Sequence, residues 1–395
     1  MHLLLTVSLG LAALIWTIQS IRAGIGMSRL PRIEKFAPLA KDLSPGISII
    51  FAARDEAEKL PAALQSMLTL DYPDYEVIAV DDRSSDATAD ILDDFARGNP
   101  RLRVIHIANL PPGWLGKPHA LDSGFQISTG SWILLTDADV NFAPETLGRA
   151  MAVATQQKLD HLSLMTRMTM VGFWEHAVMT FFGLGFTMGT EAWSTSNPRS
   201  SRYVGIGAFQ LIRREVLEAV GGHRRLAMEV VEDMKLGKLV KLGGFRSQVG
   251  YAAHHLSVRW HAGLRNLIRG TTKNFFAALG YSVSVVIIQL LGLFLLSVLP
   301  WLVLAWFALS PLFGLTRLDL LPVVFAAIAV AIALLVHATI AYGAKSSPLY
   351  GLTHPIGALI FAWMIARSTI VTLWSGGIVW RDTFYPLAEL RRGSV

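Results

Sequence analysis

Asp137 and Asp139, separated by Ala138, and the adjacent pair Glu232 and Asp233 are the residues of this chain best suited to chemistry by type and spacing. An Asp-Ala-Asp step on a turn that closes a strand can bring a direct carboxylate ligand and a water- or ribose-mediated one around a single divalent ion. Mg2+ or Mn2+ held by Asp139, with Asp137 beside it, would neutralise charge building on a departing nucleoside diphosphate. A capped loop has the same triplet, and the strand–helix alternation before it is what favours the metal reading. A sugar transfer that inverts the anomeric centre in one displacement needs a carboxylate base. Asp233, at the start of a helix near Met234, is placed for that role, with Glu232 shaping the site. Taken alone, such a Glu-Asp pair is more commonly just the acidic start of a helix.

Other polar groups stand where a ligand could meet them. Ala53-Arg54-Asp55-Glu56 follows one apolar run and Asp81-Asp82 ends the next, so the first could line a nucleotide pocket and Asp81 could accept hydrogen bonds from a base or ribose; carboxylates there also serve as turn and cap residues. Gly113-Trp114-Leu115-Gly116-Lys117 offers a tight loop whose Lys117 could meet a nucleotide-sugar or the nearby carboxylates, or a staple in which Trp114 simply packs. No Gly-x-Gly-x-x-Gly or Gly-x-x-x-x-Gly-Lys-Ser/Thr pattern occurs at these places, which removes support for those two nucleotide folds. Gly205-Ile206-Gly207 and Gly221-Gly222-His223 give a glycine-rich frame for an acceptor pocket.

The elements that must position these groups follow from periodicity. Residues 46–51, 76–80, 102–107 and 132–136 read as short buried strands, and helical patterns run through Leu60, Leu64 and Leu68, through Ala89, Leu92 and Phe95, and over residues 117–125. Alternation of this kind predicts an α/β fold with an open, mostly parallel central sheet, whose ligands gather outside the C-terminal ends of the strands.

The chain has 395 residues, of which 52% are apolar and 16% charged, so membrane association is expected. Residues 3–21 and 275–316 contain no Asp, Glu, Lys or Arg. The first stretch reads as a retained anchor rather than a cleaved signal, because no basic start and no clear small-x-small site frame it. Arg22, Arg29, Arg32 and Lys35 follow at once and place the next domain in the cytoplasm. The expected division is an anchor over 1–21, a catalytic domain over 22–276 and a membrane region with a polar tail over 277–395. Candidate spans cover 283–309, 321–340 and 356–380, with Pro300 able to kink the first and His354, Pro355 and Arg367 complicating the last. If all cross once, Arg391 and Arg392 fall outside, against the charge rule, which favours one more crossing or a helix that does not cross. Arg367 inside an apolar stretch needs a partner, either a lipid phosphate, a diphosphate or an internal carboxylate. A net charge of +6 without a basic tail gives no support to nucleic-acid binding, and the absence of cysteine excludes disulfides and thiolate metal sites. Oligomeric state is left open.

Ala53-Arg54-Asp55-Glu56, Asp81-Asp82, Gly116-Lys117, Asp137-Ala138-Asp139, Gly205-Ile206-Gly207, Glu232-Asp233 and Arg259-Trp260, taken in order over residues 44–260, resemble the membrane-bound family 2 glycosyltransferases of GT-A fold. The resemblance implies nucleotide recognition at Ala53, Arg54, Glu56 and Asp81, metal and diphosphate binding at Asp137 and Asp139, acceptor contacts at Gly207 and base catalysis by Asp233. It also implies that Arg259 balances leaving-group charge while Trp260 stands at the acceptor entrance, a pair that could equally be an interfacial anchor. Processive polysaccharide synthases carry Gln-x-x-Arg-Trp, whereas this chain has Leu256 in place of the Gln, which argues against a polymer channel. Residues 112–118 and the tail motif 380–386 are similar to a bacterial subgroup of hopanoid-associated, carotenoid-directed and ceramide-directed enzymes. The implied activity is inverting transfer of a hexosyl group from a UDP-sugar to a hydroxylated membrane lipid at the inner membrane, with Arg367 and Arg381 shaping the acceptor side. Transfer to polyprenyl phosphate, short-glycan extension, metal-dependent phosphoryl transfer and a non-enzymatic scaffold are the alternatives.

Overall fold

The computed structural model describes residues 2–313, 319–381 and 383–395. The end of the long uncharged interval, including Thr316, and Asp382 of the tail motif lie outside the described residues. The chain divides into two compact units, an α/β unit of Arg29–Thr169, Ala192–Trp260 and Ala388–Val395, and a helical unit of Met1–Ser28, Met170–Glu191 and His261–Leu387.

In the α/β unit the strands are β1 (Ile47–Ala53), β2 (Tyr75–Asp82), β3 (Leu102–Ile107), β4 (Trp132–Asp137), β5 (Asn141–Phe142), β6 (His161–Met165), β7 (Arg167–Met168), β8 (Gln210–Arg213), β9 (Ser247–Tyr251) and β10 (Leu256–Val258). Seven of them form one sheet in the order β3-β2-β1-β4-β8-β6-β9. The β1, β2, β3 and β4 pairings are parallel, as is β6 with β9, and β8 alone runs antiparallel to its neighbours. The four expected strands and three expected helices are present, the helices as Leu60–Leu68, Thr88–Gly98 and Gly116–Ile127. The reason is visible in β2. Its Val77 and Ala79 enter a core on one face, while Ile78 and Val80 enter a second core on the other, so the run is apolar at every position rather than alternating. Each buried branched side chain contributes about 1.5–3 kcal/mol relative to exposure.

Among the described residues, the helical unit contains four helices long and apolar enough to cross a membrane, His2–Ser28, Val283–Phe313, Leu320–Gly343 and Pro348–Trp374. Pro300 has no N–H to give to the carbonyl one turn back, at Leu296. The structure absorbs this with a π-helical turn over Phe294–Val298, and the Trp16 indole donates to the Leu296 carbonyl at 3.0 Å. The turn Pro348–Thr353 runs back along the helix Leu320–Gly343, with Gly351 lying against Leu334 and Ala338. The helix His354–Trp374 then begins with its first ring packed edge-on against Trp16 and His337, both well inside their own helices, and reaches Thr272, whose carbonyl accepts from Ser368. Gly377–Trp380 and Thr383–Pro386 close the segment as a hairpin, β11 and β12.

The unbroken 22–276 domain expected from the sequence is interrupted. Residues Met170–Glu191 and those from His261 onward belong to the helical unit, and Ala388–Val395 belongs to the α/β unit. The helix Gly172–Thr190 is apolar along most of its length, but Glu175 and His176 disguise it. Glu175 is buried because its carboxylate accepts the N–H groups of Val171 and Gly263, each at 2.7 Å, and His176 stacks on Tyr350 while its Nδ1 meets Ser346 Oγ. Local partners thus replace water around both polar groups.

Candidate active site

The sheet register aligns the carboxylates at one edge. Ala53 lies opposite Asp81, Ala52 opposite Asp137 and Asp81 opposite His106, so four neighbouring strands end together. Crossing directions change there, and polar side chains converge.

The acidic groups form three linked clusters. In the first, Lys117, from the start of the helix Gly116–Ile127, places Nζ 2.7 Å from Asp137 Oδ1 and 2.6 Å from Glu232 Oε1. Burial alone would lower this ammonium's pKa, but Asp137, Glu232 and Asp233 hold it well above its usual value. The loop before it is fixed by Leu115 N–H donating to the Ala227 carbonyl at 2.7 Å. Gly116 is required here, because a Cβ would stand 2.1 Å from Asp82 Oδ2.

The second cluster centres on Asp233, in the first turn of the helix Glu232–Leu242. Its Oδ2 accepts the Gly207 N–H at 2.9 Å and its Oδ1 accepts the Met234 N–H at 2.7 Å. A Cβ at position 207 would lie 3.0 Å from Asp137 Oδ2 and 3.2 Å from Asp233 Oδ2, so the two carboxylates flank this glycine from opposite elements. Burial, aided by the Glu232 charge, raises the Asp233 carboxyl to about 6, against the pull of Lys117. Gln210 and His223 line the same cavity as Lys117, Gly207, Glu232 and Asp233. Burial and the Lys117 charge push His223 down to about 3, so it is neutral, and its Nδ1 has no hydrogen-bond partner among the described residues.

The third cluster holds Asp139. Lys59 Nζ donates to Asp139 Oδ2 at 2.8 Å and to the Arg259 carbonyl at 3.1 Å. Burial raises the Asp139 carboxyl and Lys59 opposes the rise. Beside these clusters, Asp81 accepts from Ser84 N–H at 3.2 Å and faces His106 Nδ1 at 3.1 Å; the Asp81 contact, with Asp93 beyond, raises His106. Asp82 is clasped by Arg83 at 2.8 and 3.0 Å, with Arg54 at 4.0 Å. Asp55 and Arg83 both adopt left-handed backbone, φ 54° and 59°, and are tied across by Ser84 and Ser85. Strain of that kind is held in place by its surroundings and gathers at ligand sites.

The donor set suits a hard cation. Asp137 and Asp139 present carboxylate oxygens on one turn, and each is already met by an ammonium, Lys117 and Lys59 respectively. Among the described residues there is no group of three or more His, Cys, Asp or Glu side chains poised around a metal. One or two carboxylates completed by substrate phosphates and water are the usual Mg2+ arrangement, so Asp137 and Asp139 fit such an ion.

The sequence-expected residues therefore fall into two sets. Lys117, Asp137, Glu232, Asp233 and Gly207 are drawn together by direct contacts, Asp139 meets the Arg259 carbonyl through Lys59, and Arg54 and Asp81 stand at the neighbouring strand ends. Ala53 is fully buried in β1, so only its backbone can meet a ligand, and Glu56 donates its N–H to Thr88 Oγ1 at 2.9 Å. Trp260 ends its α/β segment half-buried. Arg367 and Arg381 belong to the helical unit. Sequence reasoning missed Lys59 and His106 and took His223 only as part of a frame. The lysine at 59 precedes Leu60 and Pro61 at a helix start, which marks a turn but does not reveal its partner.

Residues 48–221 match the family model described as Glycosyl transferase family 2. The chain is 25% identical over 240 residues to the 4,4'-diaponeurosporenoate glycosyltransferase of Staphylococcus haemolyticus, covering 59% of this chain and 62% of that protein. It is 27% identical over 223 residues to the beta-monoglucosyldiacylglycerol synthase of a Synechocystis species, covering 52% of this chain and 45% of the relative. It thus spans less than two thirds of the length of these curated relatives. Among solved structures, a mannosyltransferase from Pyrobaculum calidifontis in complex with GDP-Man and Mn2+ superposes with a TM-score of 0.53 at 18% identity, covering 93% of this chain and 99% of the other. The α/β unit accordingly has a GT-A-like fold with a mostly parallel central sheet, as the resemblance implied, and long apolar helices stand at both ends of the chain.

Proposed function

We propose that this chain is an inverting glycosyltransferase that moves a hexosyl group from a UDP-sugar to the hydroxyl of a membrane lipid, at the cytoplasmic face of a bacterial inner membrane. The observation that carries the reading is that Asp137, from the end of β4, and Asp233, from a separate helix, bring carboxylate oxygens within 3.0 and 3.2 Å of the point a Cβ on Gly207 would occupy. Asp233 takes the proton of the acceptor hydroxyl as that oxygen bonds to the anomeric carbon and the bond from this carbon to the UDP oxygen breaks. Two backbone N–H groups fix the orientation of Asp233, and its pKa near 6 leaves it ionised at neutral pH while making it a stronger base than an ordinary carboxylate. Mg2+ or Mn2+ at Asp139, with Asp137 beside it, would supply positive charge to the leaving diphosphate. Lys117 keeps Glu232 and Asp137 neutralised and in place, Arg259 would balance leaving-group charge, and Asp81 and Arg54 would contact the nucleoside.

A 4,4'-diaponeurosporenoate glycosyltransferase and a beta-monoglucosyldiacylglycerol synthase among the relatives support a lipid acceptor, and GDP-Man with Mn2+ in the structural neighbour supports a nucleotide-sugar donor and a divalent metal without bearing on the choice of UDP. We read the segment 348–374 as a re-entrant hairpin, because its helix starts beside mid-helix residues of two neighbours. That returns Arg391 and Arg392 to the side of Arg22 and Arg29 and satisfies the charge rule. The deciding experiment incubates the purified full-length protein with total bacterial lipid and a panel of sugar nucleotides and weighs the products. A lipid heavier by one hexosyl residue, with UDP released, is expected; phosphate-transfer products or no sugar adduct would overturn the reading. Arg367 favours a second reading, since its Nε is buried in a long apolar helix with no hydrogen-bond partner among the described residues, a setting suited to a phosphate-bearing acceptor such as polyprenyl phosphate. That acceptor is already ionised and needs no base.

A further inference from the structure

Lys59 has no place in the mechanism above, yet its ammonium lies 2.8 Å from the carboxylate assigned to the metal. Its backbone is pinned: Lys59 N–H donates to the Glu56 carbonyl at 3.1 Å, Leu60 N–H to the same oxygen at 2.9 Å, and Pro61 follows in the first turn of the helix Leu60–Leu68. Its side chain is 38% exposed, so the ammonium has room to move while its Cα does not. Two of its three N–H donors are spent on Asp139 Oδ2 and the Arg259 carbonyl. A divalent ion bound to Asp139 would repel this ammonium at close range, and the same ion would bring in a diphosphate carrying more than one negative charge.

Resting on the donor-site reading given above, we propose that Lys59 is a cation exchanged at the diphosphate site: it occupies the Asp139 carboxylate when no donor is bound and transfers to a phosphate oxygen of the nucleoside diphosphate when the metal takes Asp139. The Arg259 carbonyl serves as the pivot, because the ammonium can keep that bond while redirecting the N–H freed from Asp139. An ammonium suits this exchange better than a guanidinium would, as a point charge on a flexible stem with freely turning donors. The site therefore holds a neutralised carboxylate in the empty state and gains a second phosphate contact in the loaded one, without a change in the fold.

The exchange predicts opposite effects on two ligands. In the full-length protein carrying Lys59→Met, Mn2+ alone, followed by electron paramagnetic resonance of the free ion, binds about tenfold more tightly than in the wild type, because its competitor is gone. UDP binding at saturating Mn2+, followed by calorimetry, weakens by about tenfold or more, the loss of one charge-assisted hydrogen bond. Lys59→Arg keeps the charge and recovers part of the UDP affinity. A general disturbance of the site would weaken both ligands together, and that result, or an unchanged affinity for either, overturns the proposal. Should the wild type bind neither Mn2+ nor UDP, the donor-site reading itself fails, which the wild-type measurement registers before any variant is compared.

Discussion

Asp233→Asn separates the chemistry of this carboxylate from its cost to the fold. Burial and the Glu232 charge raise its carboxyl from 3.8 to about 6, so keeping it ionised costs the native state about 3 kcal/mol above that pH. A folded pKa raised above the unfolded one means that the group's stabilising contribution is complete below pH 3.8 and is lost as pH rises through 6. Asparagine removes the charge. Its carbonyl keeps one of the two backbone donors, Gly207 or Met234, and its amide turns a donor toward the other, a loss of about 1–2 kcal/mol. The balance at pH 8 is a gain of about 1–2 kcal/mol, a rise in melting temperature of a few degrees that fades by pH 4. Activity should move the other way: hexosyl transfer falls about 100- to 10,000-fold, and in the wild type kcat/KM declines as pH drops through 6. Melting scans at several pH values and product mass measurement read the two effects on one preparation. Transfer within about tenfold of wild type, or a variant destabilised equally at pH 4 and pH 8, would refute the assignment of Asp233 as a strained, ionised base.

Asp139→Ala is expected to abolish metal-dependent UDP binding while leaving the melting temperature within about 1 kcal/mol equivalent of wild type, since it frees one half-exposed lysine; calorimetry with and without Mn2+ checks this. Gly116→Ala should cost about 1–3 kcal/mol in stability and displace Lys117, because its Cβ would strike the Asp82 carboxylate held by Arg83; denaturant unfolding and donor KM test it together. The absence of native cysteine makes single-cysteine labelling clean, and Cys placed at Ser394 should react with impermeant reagent from the same side of the membrane as Cys placed at Ser28. Labelling from opposite faces would require the segment 348–374 to cross.

What could be read in the sequence was local. The strand ends Asp81-Asp82 and Asp137 lie in apolar runs too short and too continuous for surface strands, so both the burial of the strands and the carboxylates at their C-terminal ends were legible. The register that sets Asp81, Asp137 and Ala53 side by side depends on pairings dozens of residues apart and could not be read from spacing. Lys117 was legible as a charged group near the carboxylates, but its bridging joins Asp137 and Glu232, residues distant in the sequence. The helix Gly172–Thr190 stayed hidden for the opposite reason. Glu175 and His176 carry a surface signature, and only their buried partners, Gly263 and Ser346, reveal that it does not apply. Pro300 announced a kink, whereas the indole of Trp16 that satisfies the carbonyl left free at Leu296 comes from the other end of the chain.

One physical demand connects these contacts. Carboxylates gathered for a cation must exist without it between turnovers, and enclosed unpaired charges would shift toward protonation or destabilise the unit. Here each half of the Asp-Ala-Asp turn has its own ammonium, Lys117 on Asp137 and Lys59 on Asp139, and the two differ in kind. Lys117 is bound to two carboxylates and mostly buried, so removing it would leave Glu232 and Asp137 facing each other and should damage the fold as well as the site. Lys59 is half-exposed and shares its second bond with a backbone carbonyl, so it can leave at little cost. On the proposed exchange, Asp137 is the permanently neutralised carboxylate and Asp139 the exchangeable one, and the proposed metal would sit on Asp139 rather than midway between the two.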